Sequence, residues 1–220
     1  MTTLSGQALR EALDRAGLDH WRGAPTGLHA RFRTRTFRRG LDLVDAIGEI
    51  AEEMNHHPDI TLTFTHVGVT LISHDAGGVT ERDLRAAERI SELARERDVS
   101  AQPDQVRTVE LSLDTHDQDA IAPFWAAVLT GDAGAIDGDQ IVDPTGQLPT
   151  LWFQPSEDKG VPPQRFHLDL WLGPQEVPER IRAAVAAGGT IEDDSSAPSF
   201  TVLADAQGNR VCLCTVAEPD

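Results

Sequence analysis

The chain has 220 residues, of which 40% are apolar and 25% charged, the balance of a folded globular protein and enough length for two cores. Its formal net charge of -17 is uneven, with 13 basic residues against 16 acids up to residue 100 and 6 against 20 beyond it. Such acidity argues against a sequence-independent grip on nucleic acid or on anionic lipid, both of which need a basic face.

No apolar run nears the roughly 20 residues needed to cross a bilayer, and the N-terminus lacks the basic-then-apolar layout of a signal peptide. A cytoplasmic protein is expected. Cys212 and Cys214 alternate within one predicted strand and read as reduced thiols.

The first element is a helix over SGQALREALDRAGL, with Ser5 as its N-cap, Leu9, Leu13 and Ala16 at helical spacing, and Gly17 at its end. LHARFRTRTF then alternates, placing Ala30, Phe32, Thr34 and Thr36 on one face of a strand and Arg31, Arg33 and Arg35 on the other. Leu43, Val44, Ile47, Ile50, Ala51 and Met54 predict an amphipathic helix over 40–55. Its end is expected at His56 and His57, because Pro58 disfavours helical geometry in the residue before it. ITLTF and VGVTLIS form an antiparallel pair with a turn near Thr65 and His66. Thr80 and Asp83 make a capping box for a helix whose buried stripe is Leu84, Ala87, Ile90 and Leu93.

The aperiodic segment 98–105 separates two predicted domains, 1–100 and 106–217. Beyond it a strand, a helix and further strands occur twice. TVELSLD leads to a helix with Ile121, Phe124, Trp125 and Val128 inward, then to QIVD and PTLWFQ. RFHLDLWL leads to a helix closing on Gly188 and Gly189, then to TIED, FTVLAD and RVCLCTV. The element order points to duplicated βαβββ modules.

His56, His57 and His74 lie within one short stretch of the first domain. Glu52 and His56 are four apart at a helix end and can share a face. A carboxylate at that distance raises an imidazole's pKa while desolvation lowers it, and the balance suits proton transfer near neutral pH. The same residues are compatible with helix C-capping, or with a zinc site completed by Glu52 or Asp83. Spacing alone leaves the three readings open.

The run Glu52, three residues, His56-His57-Pro58, five residues, Phe64, nine residues, His74, eight residues, Asp83 resembles the signature of the pterin-4a-carbinolamine dehydratases. SHDAGGVTERD is similar to that family's Thr-His-x-x-Gly-Leu-Thr-x-x-Asp segment, and Trp21, Phe32 and Phe37 fall where the family places aromatic residues. The resemblance covers about residues 4–98. It implies an α+β fold, a four-stranded antiparallel sheet with helices on one face, assembling into homo-oligomers of two or more chains. It further implies dehydration of a 4a-hydroxytetrahydropterin such as 4a-hydroxytetrahydrobiopterin to the quinonoid dihydropterin, in support of a pterin-dependent hydroxylase, with no metal and no cofactor. Carried over residue by residue, His56, His57 and His74 are the catalytic set. Glu52, Asp83 and Phe64 are the substrate-binding set, with Glu52 and Asp83 as orienting or pterin-contacting carboxylates and Asp83 open also to the reading of a simple cap. Two positions depart from the pattern: Asn55 stands where relatives often have Asp, and Phe64 where many have Tyr.

The second domain resembles the glyoxalase-like branch of the vicinal oxygen chelate superfamily, through FWAAVLTGD, RFHLDLWL and LADAQGNRVCL. The alignment puts Glu110, His167 and Cys212 at positions that hold metal in metal-dependent members, and finds no ligand near Trp152 to Gln154. A thiol in one position and a gap in another weaken a hard-metal site, so a metal-free pocket is expected. Trp125, Trp152 and Trp171 are expected to pack. The alternative reading makes the first domain an idle dimerising or regulatory pterin-binding module, with a lyase, dioxygenase or ligand-binding activity in the second.

Overall fold

The computed structural model describes residues 2–157, 167–172 and 175–215. The chain divides into two compact units, Met1–Thr108 and Val109–Asp220. Among the described residues, no helix is long and apolar enough to cross a membrane.

The first unit runs α1 (Gly6–Arg15), β1 (Arg22–Ala24), β2 (Gly27–Arg33), α2 (Phe37–Met54), β3 (Asp59–Thr63), β4 (His66–Leu71), α3 (Glu81–Glu96) and β5 (Ser100–Ala101). Its antiparallel sheet has the order β1-β2-β4-β3, and β5 adds to β2 beside β1. Strand alternation sends Leu28, Ala30, Phe32, Val67, Val69 and Leu71 to one face, where they are buried with Leu43 and Ile47 of α2 and Leu84, Ala87 and Ile90 of α3. Each of the larger side chains among them, valine, leucine, isoleucine or phenylalanine, contributes roughly 1.5 to 3 kcal/mol on burial. The opposite positions on β2 and β4, among them His29, Arg31 and His66, remain partly exposed. The α+β architecture implied by the resemblance is therefore the one observed.

Local differences have local causes. Ser5 sits at the N-cap of α1, but its side chain makes no cap bond. α2 begins earlier than its apolar stripe suggests, because Thr36 leaves the strand and accepts from Arg39 N at 3.2 Å as a helix cap. The same helix stops at Met54, before the histidines. Asn55 turns left-handed (φ 45°), its N–H reaching Glu52 O and that of His56 reaching Ala51 O, a Schellman end that asparagine tolerates. Within the aperiodic segment 98–105, Ala101 and Ser100 pair with Phe32 and Arg33, so part of that stretch is an edge strand.

The second unit comprises β6 (Leu111–Thr115), α4 (Gln118–Thr130), β7 (Ile136–Asp137), β8 (Gln140–Ile141) and β9 (Leu151–Pro155), then β10 (Leu168–Trp171), α5 (Val177–Ala186), β11 (Thr190–Asp193), β12 (Phe200–Ala204) and β13 (Arg210–Cys214). The two sheets, β6-β9-β8-β7 and β10-β13-β12-β11, have one topology: in each module the first strand lies parallel to the last, and the rest are antiparallel. This is the duplication that the element order suggests. Ile121, Phe124 and Val128 of α4 share a core with Phe153, Leu203, Val211 and Leu213.

Polar links join the modules. Trp125 Nε1 donates to Asp205 Oδ2 at 2.9 Å, and Asp205 also accepts from Gln207 N, Asn209 N and Asn209 Nδ2. The DAQGN motif is thus a turn organised around one buried carboxylate. Arg180 donates to the carbonyls of Val128 and Leu129, completing the end of α4. The beginning of the predicted RFHLDLWL strand (165–166), the side chain of Trp171, and residues 216–217 lie outside the described residues.

Candidate active site

The turn that follows α2 and the loop after β4 meet at Asp83, on the first turn of α3. Asp83 is fully buried (0% exposed). Its Oδ2 accepts from Thr80 N at 2.7 Å, Ser73 Oγ at 2.7 Å and Thr80 Oγ1 at 3.1 Å, while Oδ1 lies 2.7 Å from His56 Nε2. Since an ionised carboxylate only accepts, His56 carries its proton on Nε2 and donates, and in the neutral ring Nδ1 is left as the acceptor. The local half of this arrangement is the capping box of α3. The long-range half arises because the Schellman turn at Asn55 carries His56 off the helix and into the interior, where it is 7% exposed.

Helical spacing suggests a Glu52–His56 pair, and the structure corrects it. With α2 ended at Met54, His56 no longer follows helical register, and Glu52 Oε1 instead accepts from His57 Nε2 at 3.0 Å. Both partners of that second pair are exposed.

His74 is exposed and opens a short 3₁₀ turn, His74–Ala76. Ser73 and Gly78 exchange backbone hydrogen bonds across the loop, and Gly77 supplies the left-handed residue that closes it. Arg82 donates to Asp75, and that hydrogen bond holds the Asp75 carboxyl below its usual range. The loop is therefore tied down on both sides. Ser73 links it to Asp83, and Asp83 links it to His56, so the residues that precede His74 and His57 are tied to one carboxylate. The His56 ring is buried and those of His57 and His74 are exposed.

Asp83 and Phe64, both in the expected substrate-binding set, stand in opposite surroundings. Asp83 is enclosed by its four donors and has no surface to offer a ligand. Phe64 is 71% exposed at the β3–β4 turn. Asp59 pairs with Thr70 at the histidine end of this hairpin and Thr63 with His66 at the other, so the strand's five residues separate Phe64 from His57 by about 16 Å. A gap count along the sequence cannot reveal that the aromatic lies across the hairpin. Ser73 and Thr80 were absent from the expected set, although their place beside His74 and three residues before Asp83 is the available signal.

The family model described as pterin 4 alpha carbinolamine dehydratase matches residues 2–93. A protein of Thermomicrobium roseum named "Putative pterin-4-alpha-carbinolamine dehydratase" is 39% identical over 74 residues, 34% of this chain and 80% of its own length. A protein of the same name from Aquifex aeolicus is 36% identical over 93 residues, 42% of this chain and 92% of its own. The chain belongs to the pterin-4a-carbinolamine dehydratase family. Its dehydratase-like domain is the N-terminal one, and a family model described as a glyoxalase-like domain matches residues 110–214. Among solved structures, a transcriptional coactivator/pterin dehydratase from Brucella melitensis is 27% identical, covering 42% of this chain and 99% of its own, with a TM-score of 0.39.

The glyoxalase-like domain has its own polar constellation. A cleft of about 430 Å³ is lined by Glu110, Ser112, Trp125, His167 and Asn209, among others. On the adjoining strands, donor atoms of His167, Asp169 and Cys212 all lie within 4.8 Å of one another. Burial, with the charge of Asp169 and then Cys214 adding to it, pushes the Cys212 thiol up to about 11. Burial and Asp169 also raise Cys214. Trp125 is buried as expected, and Trp152 is partly buried on β9.

Proposed function

We propose that the N-terminal domain dehydrates a 4a-hydroxytetrahydropterin, such as 4a-hydroxytetrahydrobiopterin, to the quinonoid dihydropterin. In this reading the protein acts as a homo-oligomer in the cytoplasm and serves a pterin-dependent hydroxylase. The observation that carries the proposal is that two exposed imidazoles, His57 and His74, each directly follow a residue, His56 and Ser73, that is hydrogen-bonded to the buried Asp83 carboxylate. The reaction removes hydroxide from C4a and a proton from a ring nitrogen. It therefore needs a proton donor at one face of the heterocycle and an acceptor at another, tasks suited to groups that titrate near neutrality.

His57 and His74 are the accessible members and carry the proton transfers. Glu52 orients His57 through the 3.0 Å hydrogen bond. His56 is a positioning residue: Asp83 holds its ring, and the ring fixes where the chain leaves α2 and places His57. Phe64 has no part in the site within one chain.

The test is to generate the carbinolamine and follow its decay with the purified protein. Acceleration over buffer is expected, together with losses of about 10²- to 10⁴-fold in His57→Ala and His74→Ala, the usual contribution of a general acid or base. Decay no faster than in buffer, or unchanged rates in both variants, would overturn the proposal.

A further inference from the structure

We propose that the outer face of the first unit's sheet binds the phosphate group of a small phosphate ester, seated over Gly68 and held by Arg31. The helices of this unit pack on the other face of the sheet, with Phe32, Val67 and Val69. Strand register sets what the outer face presents. Gly68 of β4 stands between Arg31 of β2 and Thr61 of β3, and two residues away on β4 His66 stands between Arg33 and Thr63. Two strand spacings, about 10 Å, separate the backbones of Arg31 and Thr61, and the position between them carries no side chain. The result is a recess with a backbone floor and a rim of guanidinium, imidazole and hydroxyl groups.

Neither backbone conformation nor packing requires a glycine at position 68. Its φ lies outside the left-handed region, and a Cβ there would meet nothing nearer than Thr61 Cβ, at 3.8 Å. A glycine inside a strand weakens it, and such a residue often marks a place where a ligand approaches the backbone.

Charge points to the kind of ligand. Arg31 is partly buried, its Nη2 donates to His66 Nδ1 at 2.9 Å, and its Nε is buried without a hydrogen-bond partner in the protein. Among the described residues, neither Arg31 nor Arg33 forms an ion pair with a carboxylate. A guanidinium is permanently charged, and its hydrogen bonds to an anion are about twice as strong as those between neutral groups. Asp59, a carboxylate on the same face, sits across from Thr70, diagonally opposite Arg33. A tetrahedral phosphate takes donors from several directions and can meet Arg31, Arg33 and the Thr61 hydroxyl together, whereas a planar carboxylate is satisfied by one guanidinium. An extended polyanion would run past the recess into the field of a chain whose net charge is -17.

The experiment titrates the full-length protein with inorganic phosphate, with glycerol phosphate and with acetate at constant ionic strength, followed by the NMR signals of the Gly68 amide and the His66 ring. Saturable shifts with both phosphates, and none with acetate, are expected. Arg31→Gln should weaken phosphate binding by roughly tenfold or more, the worth of a hydrogen bond to a charged group. Gly68→Val should abolish binding by filling the recess, and Arg85→Gln, exposed on α3, should bind as the parent does. All three variants should keep the parent's fold and its rate of carbinolamine decay. The proposal is overturned if the shifts fail to saturate, if acetate saturates the site as phosphate does, if Gly68→Val binds as the parent does, or if Arg85→Gln loses as much as Arg31→Gln. Arg31-dependent cosedimentation with phosphatidylserine vesicles would also overturn it, by assigning the face to a membrane. None of these residues belongs to the histidine site, so this proposal and dehydration fail separately.

Discussion

In the first unit an imidazole meets a carboxylate in the interior, where His56 and Asp83 are 7% and 0% exposed at the side chain and the carboxylate takes three further hydrogen bonds. In the second, His167 and Asp169 meet at 3.2 Å with 51% and 53% of their side chains exposed. The chemistry of the two pairs is the same and their surroundings are opposite. A buried carboxylate surrounded by donors is committed to the fold, because withdrawing it strands each donor away from water. A half-exposed pair is worth about 0 to 1 kcal/mol and can separate at little cost. The difference assigns Asp83 to architecture and leaves Asp169 in a surface pair that adds little to stability.

The largest way to break this contrast is Asp83→Ala. It leaves His56, Ser73 and the Thr80 N–H without their shared acceptor, and a loss of about 3 to 5 kcal/mol is expected. Chemical denaturation of this variant beside Asp169→Ala measures it, and equal effects at the two positions would remove the distinction. Next in size is Gly189→Ala in the second unit. A Cβ there would fall 2.2 Å from the Phe124 ring and 3.1 Å from Ala184 O, in a fully buried contact. The expected cost is about 1 to 3 kcal/mol, read as a lower melting temperature with carbinolamine decay at room temperature unchanged.

The smallest effect sharpens the comparison by pH. Burial lowers the pKa of His29, on β2, below its ordinary 6.5. The unfolded chain therefore binds the proton more readily, and the stability contributed by neutral His29 is complete above pH 6.5 and is lost as pH falls through the lower folded value. His29→Gln should flatten the acid limb of a stability-against-pH curve just below pH 6.5, and an unaltered slope would show that the ring is not desolvated.

What the sequence determined by itself was whatever depends on neighbours a few residues away. The apolar spacing of Leu43, Ile47 and Met54 gave a helix, the alternation of Ala30 and Phe32 with Arg31 and Arg33 gave a strand, though one that ends before Thr34, and Thr80 with Asp83 gave a capping box that the structure contains. The repeated order of elements was enough to anticipate two modules of one topology. Even local reading failed where a competing interaction was stronger, as when Asn55 ended α2 before Pro58 could.

Only the tertiary structure decided which polar groups meet across long stretches of chain. Asp83 reaches His56 across 27 residues, Phe64 is carried to the far end of a hairpin, and Asp169 is set beside Cys212 by the register of two parallel strands. Such pairings follow from apolar faces finding one another and from strands locking into register. Their energy is spread over the whole core, so no short segment encodes which side chains come to share a site.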